Sequence, residues 1–216
     1  MKSIMFNEKY GMETATLNGS KTRTTRKFGL KLCKFDDLEG LEIEDAKIEN
    51  GIIYFSFLNK WYKAPRENQP KYNVGEVVAI KQAYKDINID FIPCNGKGKW
   101  GNPKGMAGWT NKMFVRADLM PHQIQITDIK LERLQDISNE DCINEGLKVR
   151  MVNMGFGSYA RQECYCFDWE DSLGRSYDYS HVDPKIVFAD LIDMISGKGT
   201  WENNDWHIVY YYKLVK

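Results

Sequence analysis

Trp206-His207-Ile208-Val209-Tyr210-Tyr211-Tyr212-Lys213-Leu214 places Trp206, Ile208, Tyr210, Tyr212 and Leu214 on one phase and His207, Val209, Tyr211 and Lys213 on the other. Successive side chains of a strand point to opposite faces, so this alternation reads as a β-strand with one large apolar face. Outward from it, Ile124, Ile126, Ile129 and Leu131 mark another strand whose alternation breaks near Asp128, where a bulge would take up one extra residue. Val77-Val78-Ala79-Ile80 follows the turn Asn73-Val74-Gly75-Glu76 and reads as a short buried strand. Leu41 to Glu49 and Ile52 to Leu58 flank Asn50-Gly51, a dipeptide that favours the positive-φ turn of a β-hairpin.

Helices fall between these strands. One is expected from about Asn7 to Asn18, with Tyr10, Thr14 and Leu17 on one stripe and Gly19 ending it. Ser138-Asn139-Glu140-Asp141 is similar to a capping box with Asp in place of Glu or Gln, Ile137 and Cys142 have hydrophobic-staple spacing, and Gly146 stops the short helix. Asp183-Pro184 supplies an N-cap and a preorganised first position, Phe188, Leu191, Ile192 and Ile195 form an apolar face, and Gly197 ends it. Strands interrupted by a few short helices predict an α+β fold, a small barrel with helices on its outside or ends. The expectation is one domain over 1–216 with two insertions, at about 84–120 and 148–182, where periodicity is lost.

The 216 residues carry 30 Lys+Arg against 30 Asp+Glu, and 43% hydrophobic with 13% aromatic residues is enough to bury a sizeable core. Disorder and collagen-like structure are excluded. No apolar window is long enough for a membrane span, and Met1 to Asn7 reaches Glu8 before a signal-peptide core forms, so a cytoplasmic protein without membrane contact is expected. Cys33, Cys94, Cys142, Cys164 and Cys166 are odd in number and read as reduced thiols. Only Cys164 and Cys166 are close, and C-x-C without a second pair lacks zinc-finger spacing, so neither metal nor other cofactor is expected.

Two stretches concentrate cations without acids. The first, Gly19-Ser20-Lys21-Thr22-Arg23-Thr24-Thr25-Arg26-Lys27, follows a helix stop. Its cations suit the negative end of a helix dipole, and they also suit an anion or nucleotide site in which Lys21 is a point charge, Arg23 and Arg26 are planar forks, and Thr22 and Thr24 supply hydroxyls. The second runs from Asn95 to Ala117 and interleaves Lys97, Lys99, Lys104, Lys112 and Arg116 with Trp100, Trp109 and Phe114. That is either a surface loop or a binding loop in which Lys97, Lys99, Trp100 and Trp109 hold phosphates and stack unpaired bases. Gly96, Gly98 and Gly101 match G-x-G-x-x-G, but Pro103 and Gly105 forbid the helix that a dinucleotide site requires. Glu145 falls in a last helical turn, where the dipole disfavours a carboxylate by about 0.3–1 kcal/mol. Either that end is frayed and solvated or Glu145 is held there for a task, such as setting the ionisation of a lysine in a desolvated pocket.

The Gly19 to Arg26 segment resembles the G-x-K-T-x-T-x-R signature of ASCH domains, which belong to the PUA-like β-barrels. Val74-Gly75-Glu76, Ile124-Gln125-Ile126-Thr127-Asp128-Ile129 through Glu132-Arg133-Leu134, Asp136-Ile137-Ser138 through Glu145-Gly146-Leu147, and the closing strand Trp206 to Leu214 agree with it in order. The resemblance, nearest to the longer phage and prophage ASCH proteins, implies a PUA-like barrel that binds RNA or a modified nucleoside. It also implies possible amidohydrolase chemistry on N4-acetylcytidine by a Lys, a Thr and a Glu, carried over to Lys21, Thr24 and Glu145. The chain departs from the family where W-V-R-E is replaced by Ala79-Ile80-Lys81-Gln82. A non-catalytic RNA-binding module and a phage accessory that contacts proteins through its aromatic residues are the alternatives. The zero net charge excludes a uniformly basic coat but is a sum of opposed blocks. Six cations without an acid lie from Lys21 to Lys34, and seven acids lie from Asp36 to Glu49.

Overall fold

The structure is a computed structural model describing residues 1–28, 43–87, 92–94, 99–101, 104, 107–153, 161–168 and 179–215, with the backbone alone at 92–94 and 99–101. It is a sheet-rich α+β fold. The strands are β1 Ser3–Ile4, β2 Arg23–Lys27, β3 Asp45–Glu49, β4 Ile52–Phe57, β5 Lys60–Lys63, β6 Val77–Ile80 and β7 Ile92–Cys94. They continue with β8 Lys99–Gly101, β9 Gln123–Arg133, β10 Lys148–Asn153, β11 Arg161–Cys166, β12 Ser180–His181 and β13 Trp206–Leu214. The helices are α1 Met12–Leu17, α2 Asn139–Asn144, α3 Pro184–Ser196 and α4 Thr200–Asn203.

The central sheet has the order β1-β6-β9-β13-β2, with β1 parallel to β6 and the other neighbours antiparallel. The alternating stretch β13 therefore lies inside the sheet, between the long β9 and the motif strand β2. Among the described residues β1 and β2 are the sheet's two edges, and no ladder joins them. The expected bulge is present: Tyr211 faces Asp128 while Tyr212 faces Ile126, so Thr127 is the extra residue. Its reason is the core. Ile124 and Ile126 have the opposite sequence parity from Ile129 and Leu131, and one inserted residue brings all four against the same apolar cluster.

Smaller sheets surround the central one: β3-β4-β5, β7-β8 and β10-β11-β12. Asn50 and Gly51 take φ of 50° and 76° between β3 and β4, the left-handed pair that the hairpin turn demands. Ile53 and Phe55 from that hairpin are buried in the main core with Val78, Ile80, Ile124 and Ile126. The helix expected from Asn7 is shorter, beginning at Met12, because Gly11 at φ 71° and the bonds from Met12 and Glu13 N–H to Asn7 O form a tight turn first. α2 and α3 carry the expected caps, Ser138 accepting from Asp141 N–H and Asp183 from Lys185 N–H. α3 buries Val187, Phe188 and Leu191.

The stretch 84–120 is tied to the body by Lys112, whose Nζ donates to Phe6 O and to Glu13 at 2.7 Å and pairs with Glu8 at 2.7 Å. Trp109 packs on a small apolar cluster of Ala79, Tyr84, Val115 and Met120. The stretch 148–182 supplies β10, β11 and β12. No helix among the described residues is long and apolar enough to cross a membrane.

The bulged ladder makes a quantitative prediction. Ile126→Ala leaves a hole under the middle of the sheet and should destabilise the fold by about 2–5 kcal/mol in urea unfolding, whereas Lys130→Ala, on an exposed position of the same strand, should stay within about 0.5 kcal/mol.

Candidate functional site

Lys21 is positioned by the end of α1. Gly19, at φ 79°, turns the chain out of the helix, and Lys21 N–H donates to Ala15 O at 2.9 Å before the backbone extends into β2. From there the side chain reaches the C-terminus of α2. Lys21 Nζ donates to the Glu145 carboxylate at 2.6 Å and to the Glu145 backbone carbonyl, and both residues are buried. Thr22 N–H donates to Asn144 O at 3.0 Å, so two C-terminal carbonyls of α2 are satisfied from the β2 segment. The awkward placement of Glu145 is resolved by this contact, because one ammonium neutralises both the carboxylate and the helix end. Burial lowers the Lys21 pKa; the Glu145 charge and hydrogen bond oppose that shift, and Arg26 and Arg23 reinforce it.

Gly146 makes the approach possible. Its φ of 105° is left-handed, and a Cβ there would stand 3.3 Å from Lys21 Cδ and 3.3 Å from Ala15 Cβ. On the other side of Glu145 the Thr25 hydroxyl donates to Oε1. Strand alternation puts Arg23 and Thr25 on one face of β2 and Thr24 and Arg26 on the other. Arg23 is fully buried, bonded to Glu132, with Nη1 3.4 Å from Asp141 and Nε 3.8 Å from Glu145, and its guanidinium lies 5.5 Å from the Tyr211 ring centre. Arg23 thus fixes the carboxylates of α2 and β9 from behind.

Beside the pair is a pocket of about 180 Å³. Its polar wall is Lys21, Thr24, Thr25, Arg26, Lys27 and Glu145. The facing wall is apolar, made by Phe188, Leu191, Ile192 and Ile195 of α3, with Met12 and Phe6 contributing from the α1 side. Among the described residues β2 is a sheet edge, with no strand between its outer side and this pocket. The arrangement offers a buried amine, a carboxylate and hydroxyls next to a surface on which a planar apolar group can lie.

The structure distributes the sequence candidates unevenly. Lys21, Thr24 and Glu145 converge on the pocket, and Arg26 joins them. Thr22 and Arg23 do not line it. Thr22 staples β2 to α2, its hydroxyl 3.3 Å from Asn144 Oδ1, and Arg23 is enclosed by carboxylates instead of facing a ligand. Trp109 serves packing, half-buried on its apolar cluster. Lys97 lies outside the described residues; Lys99 and Trp100 belong to β8 and their side chains lie outside the description too. Cys142, Cys164 and Cys166 are buried, and no group of three metal-ligating side chains occurs among the described residues. Thr25, Lys27 and the α3 wall were not singled out from sequence as site residues. The i, i+2 relation between Arg23 and Thr25 is the signal that leads to Thr25.

No family model, curated protein or solved structure matches this chain.

A buried pair is costly to break from one side only. Lys21→Met should destabilise the protein by about 3–5 kcal/mol, because it strands the Glu145 charge, and adding Glu145→Leu should recover a substantial part of that loss. Thermal and urea unfolding of the two variants and the parent measure both effects.

Proposed function

We propose that this chain is an ASCH-type protein of the PUA-like class whose pocket binds a modified pyrimidine nucleoside, free or within RNA, and hydrolyses the amide of N4-acetylcytidine. The observation that carries the reading is the 2.6 Å contact of Lys21 Nζ with the Glu145 carboxylate on the wall of a pocket that Thr24 also lines. The ordered motif segments are the support for the family reading; the geometry adds a set of groups suited to acyl transfer.

The roles follow from what amide hydrolysis requires. Water attacks the acetyl carbon, the C–N4 bond breaks, and the departing amine takes a proton, giving cytidine and acetate; where the Thr24 hydroxyl attacks first, the acetyl group passes to its oxygen as cytidine leaves, and water then cleaves that ester to acetate and restores the hydroxyl. Lys21 Nζ passes one proton to the Glu145 carboxylate it contacts and then accepts that of the attacking hydroxyl or water; burial of the ammonium favours this transfer. Glu145 holds Lys21 in place and passes the proton towards N4. Where water is the nucleophile, the Thr24 hydroxyl is the donor for the oxyanion, since Thr25 is taken by Glu145. The apolar wall of α3 takes the flat base and excludes water from the reacting atoms.

Incubation of the purified protein with N4-acetylcytidine should release cytidine, read by chromatography. Glu145→Gln and Thr24→Val should each lower kcat/KM by about 10²–10⁴-fold, with folding checked by circular dichroism. Binding of cytidine without turnover by the parent protein would leave a recognition module and remove the hydrolase.

A further inference from the structure

The pocket has a polarity gradient that the hydrolytic reading does not use. Its inner end is closed by buried groups: Lys21, Thr24 and Glu145 on one side, Met12, Phe188 and Leu191 on the other. Its rim is formed by exposed Arg26, Lys27 and Ser196. Three cations line the cavity against one carboxylate, and that carboxylate is taken by Lys21. The rim therefore keeps positive charge that no acid of the pocket wall balances.

Arg26 is the better prepared of the two rim cations. Its Nη2 donates to Met5 O at 2.8 Å and the guanidinium lies 5.8 Å from the Phe6 ring centre, which fixes the plane of the fork. One of its five N–H donors is used by that bond, and no carboxylate pairs with it among the described residues. Lys27 is 3.1 Å from Asp205, but both side chains are well exposed, and such pairs yield readily to a stronger anion. Arg26 and Lys27 are consecutive on β2, so their side chains leave it on opposite faces, but β2 is a sheet edge among the described residues and both line the pocket there, with the Ser196 hydroxyl on the same rim. A planar fork held by its other contacts, with an exposed ammonium on the same rim, is a combination that recognises a phosphate.

We infer that the ligand of this pocket carries a phosphate ester on its sugar, seated at Arg26 and Lys27, while its base lies inward between α3 and the Lys21–Glu145 pair. The substrate class is then a nucleotide, either a mononucleotide or one residue of an RNA, and not a free nucleoside. This rests on the proposed pyrimidine-binding pocket, and the assignment of the rim adds the anionic group to it.

Isothermal titration with cytidine, cytidine 5′-monophosphate, inorganic phosphate and a short oligocytidylate separates the possibilities. The monophosphate should bind at least about tenfold more tightly than cytidine. That advantage should shrink with added salt and disappear in Arg26→Gln, with Arg26→Lys retaining part of it. Melting temperatures of these surface variants should equal the parent's, which excludes a folding defect. An oligocytidylate that binds more tightly still, with a steeper salt dependence, identifies RNA as the source of the phosphate; one that does not identifies the mononucleotide. Equal affinity for cytidine and its monophosphate, or no binding of either, overturns the inference. A monophosphate preference without turnover of N4-acetylcytidine or its 5′-monophosphate would remove the hydrolase and leave the phosphate site. Turnover of both at equal KM would do the reverse.

Discussion

The contact between Lys21 and Glu145 is the constraint on which the site is built. Removing an ammonium and a carboxylate from water costs several kcal/mol per ion, and their attraction offsets this only when geometry is close and the remaining valences are filled. Here two of the three ammonium donors and both carboxylate oxygens are bonded. Lys21 bonds both the carboxylate and the terminal carbonyl of α2, Thr25 bonds the other carboxylate oxygen, and Arg23 stands 3.8 Å behind it. Every one of these groups comes from the stretch Lys21 to Thr25 or from the end of α2. The pair therefore locks the first turn after α1, the edge strand β2 and the short helix α2 into a single unit.

That unit determines where the pocket is. With β2 at the sheet edge, its outer side would be open to any passing strand, yet the space is bounded by α3 and by the α1 segment instead. The result is a cleft with a charged wall and an aliphatic wall, closed at the buried pair and open at Arg26 and Lys27. A ligand with a flat base, a reactive exocyclic group and a distal anion would meet each wall with the part of itself that suits it. The same geometry explains why Arg23, although it belongs to the cationic motif, does not line the pocket. Its guanidinium is enclosed by Glu132, Asp141 and Glu145 and acts on the site only through the carboxylate it orients.

Much of the framework was readable because local chemistry enforced it. Asn50-Gly51 could take the positive φ that the hairpin required, Ser138 and Asp183 could cap, and β13 could be read from its two-residue period. The bulge at Thr127 was legible as a change of phase. What could not be read was non-local. A run of cations looks the same whether it is solvated or, as with Arg23, sunk among acids more than a hundred residues away. Thr24 and Thr25 are adjacent and chemically identical, and only the direction of β2 relative to α2 decides that Thr25 meets Glu145. The apolar residues of α3 were identified as a buried face, but that this face also walls the pocket depends on how the helix packs. Trp109 shows the same limit from the other side: aromatic residues among lysines suggest base stacking, and this one is half-buried against a small core.

The most direct measurement is the titration of the Lys21 side-chain nitrogen by NMR, using the Lys21→Met spectrum for assignment. Burial of the ammonium beside Glu145 predicts a pKa below the ordinary lysine value of 10.5, and a further fall in Glu145→Gln, because the carboxylate is what holds the charge in place. A Lys21 that titrates at the ordinary lysine value, and is unmoved by loss of Glu145, would contradict the buried pair and with it the site described here.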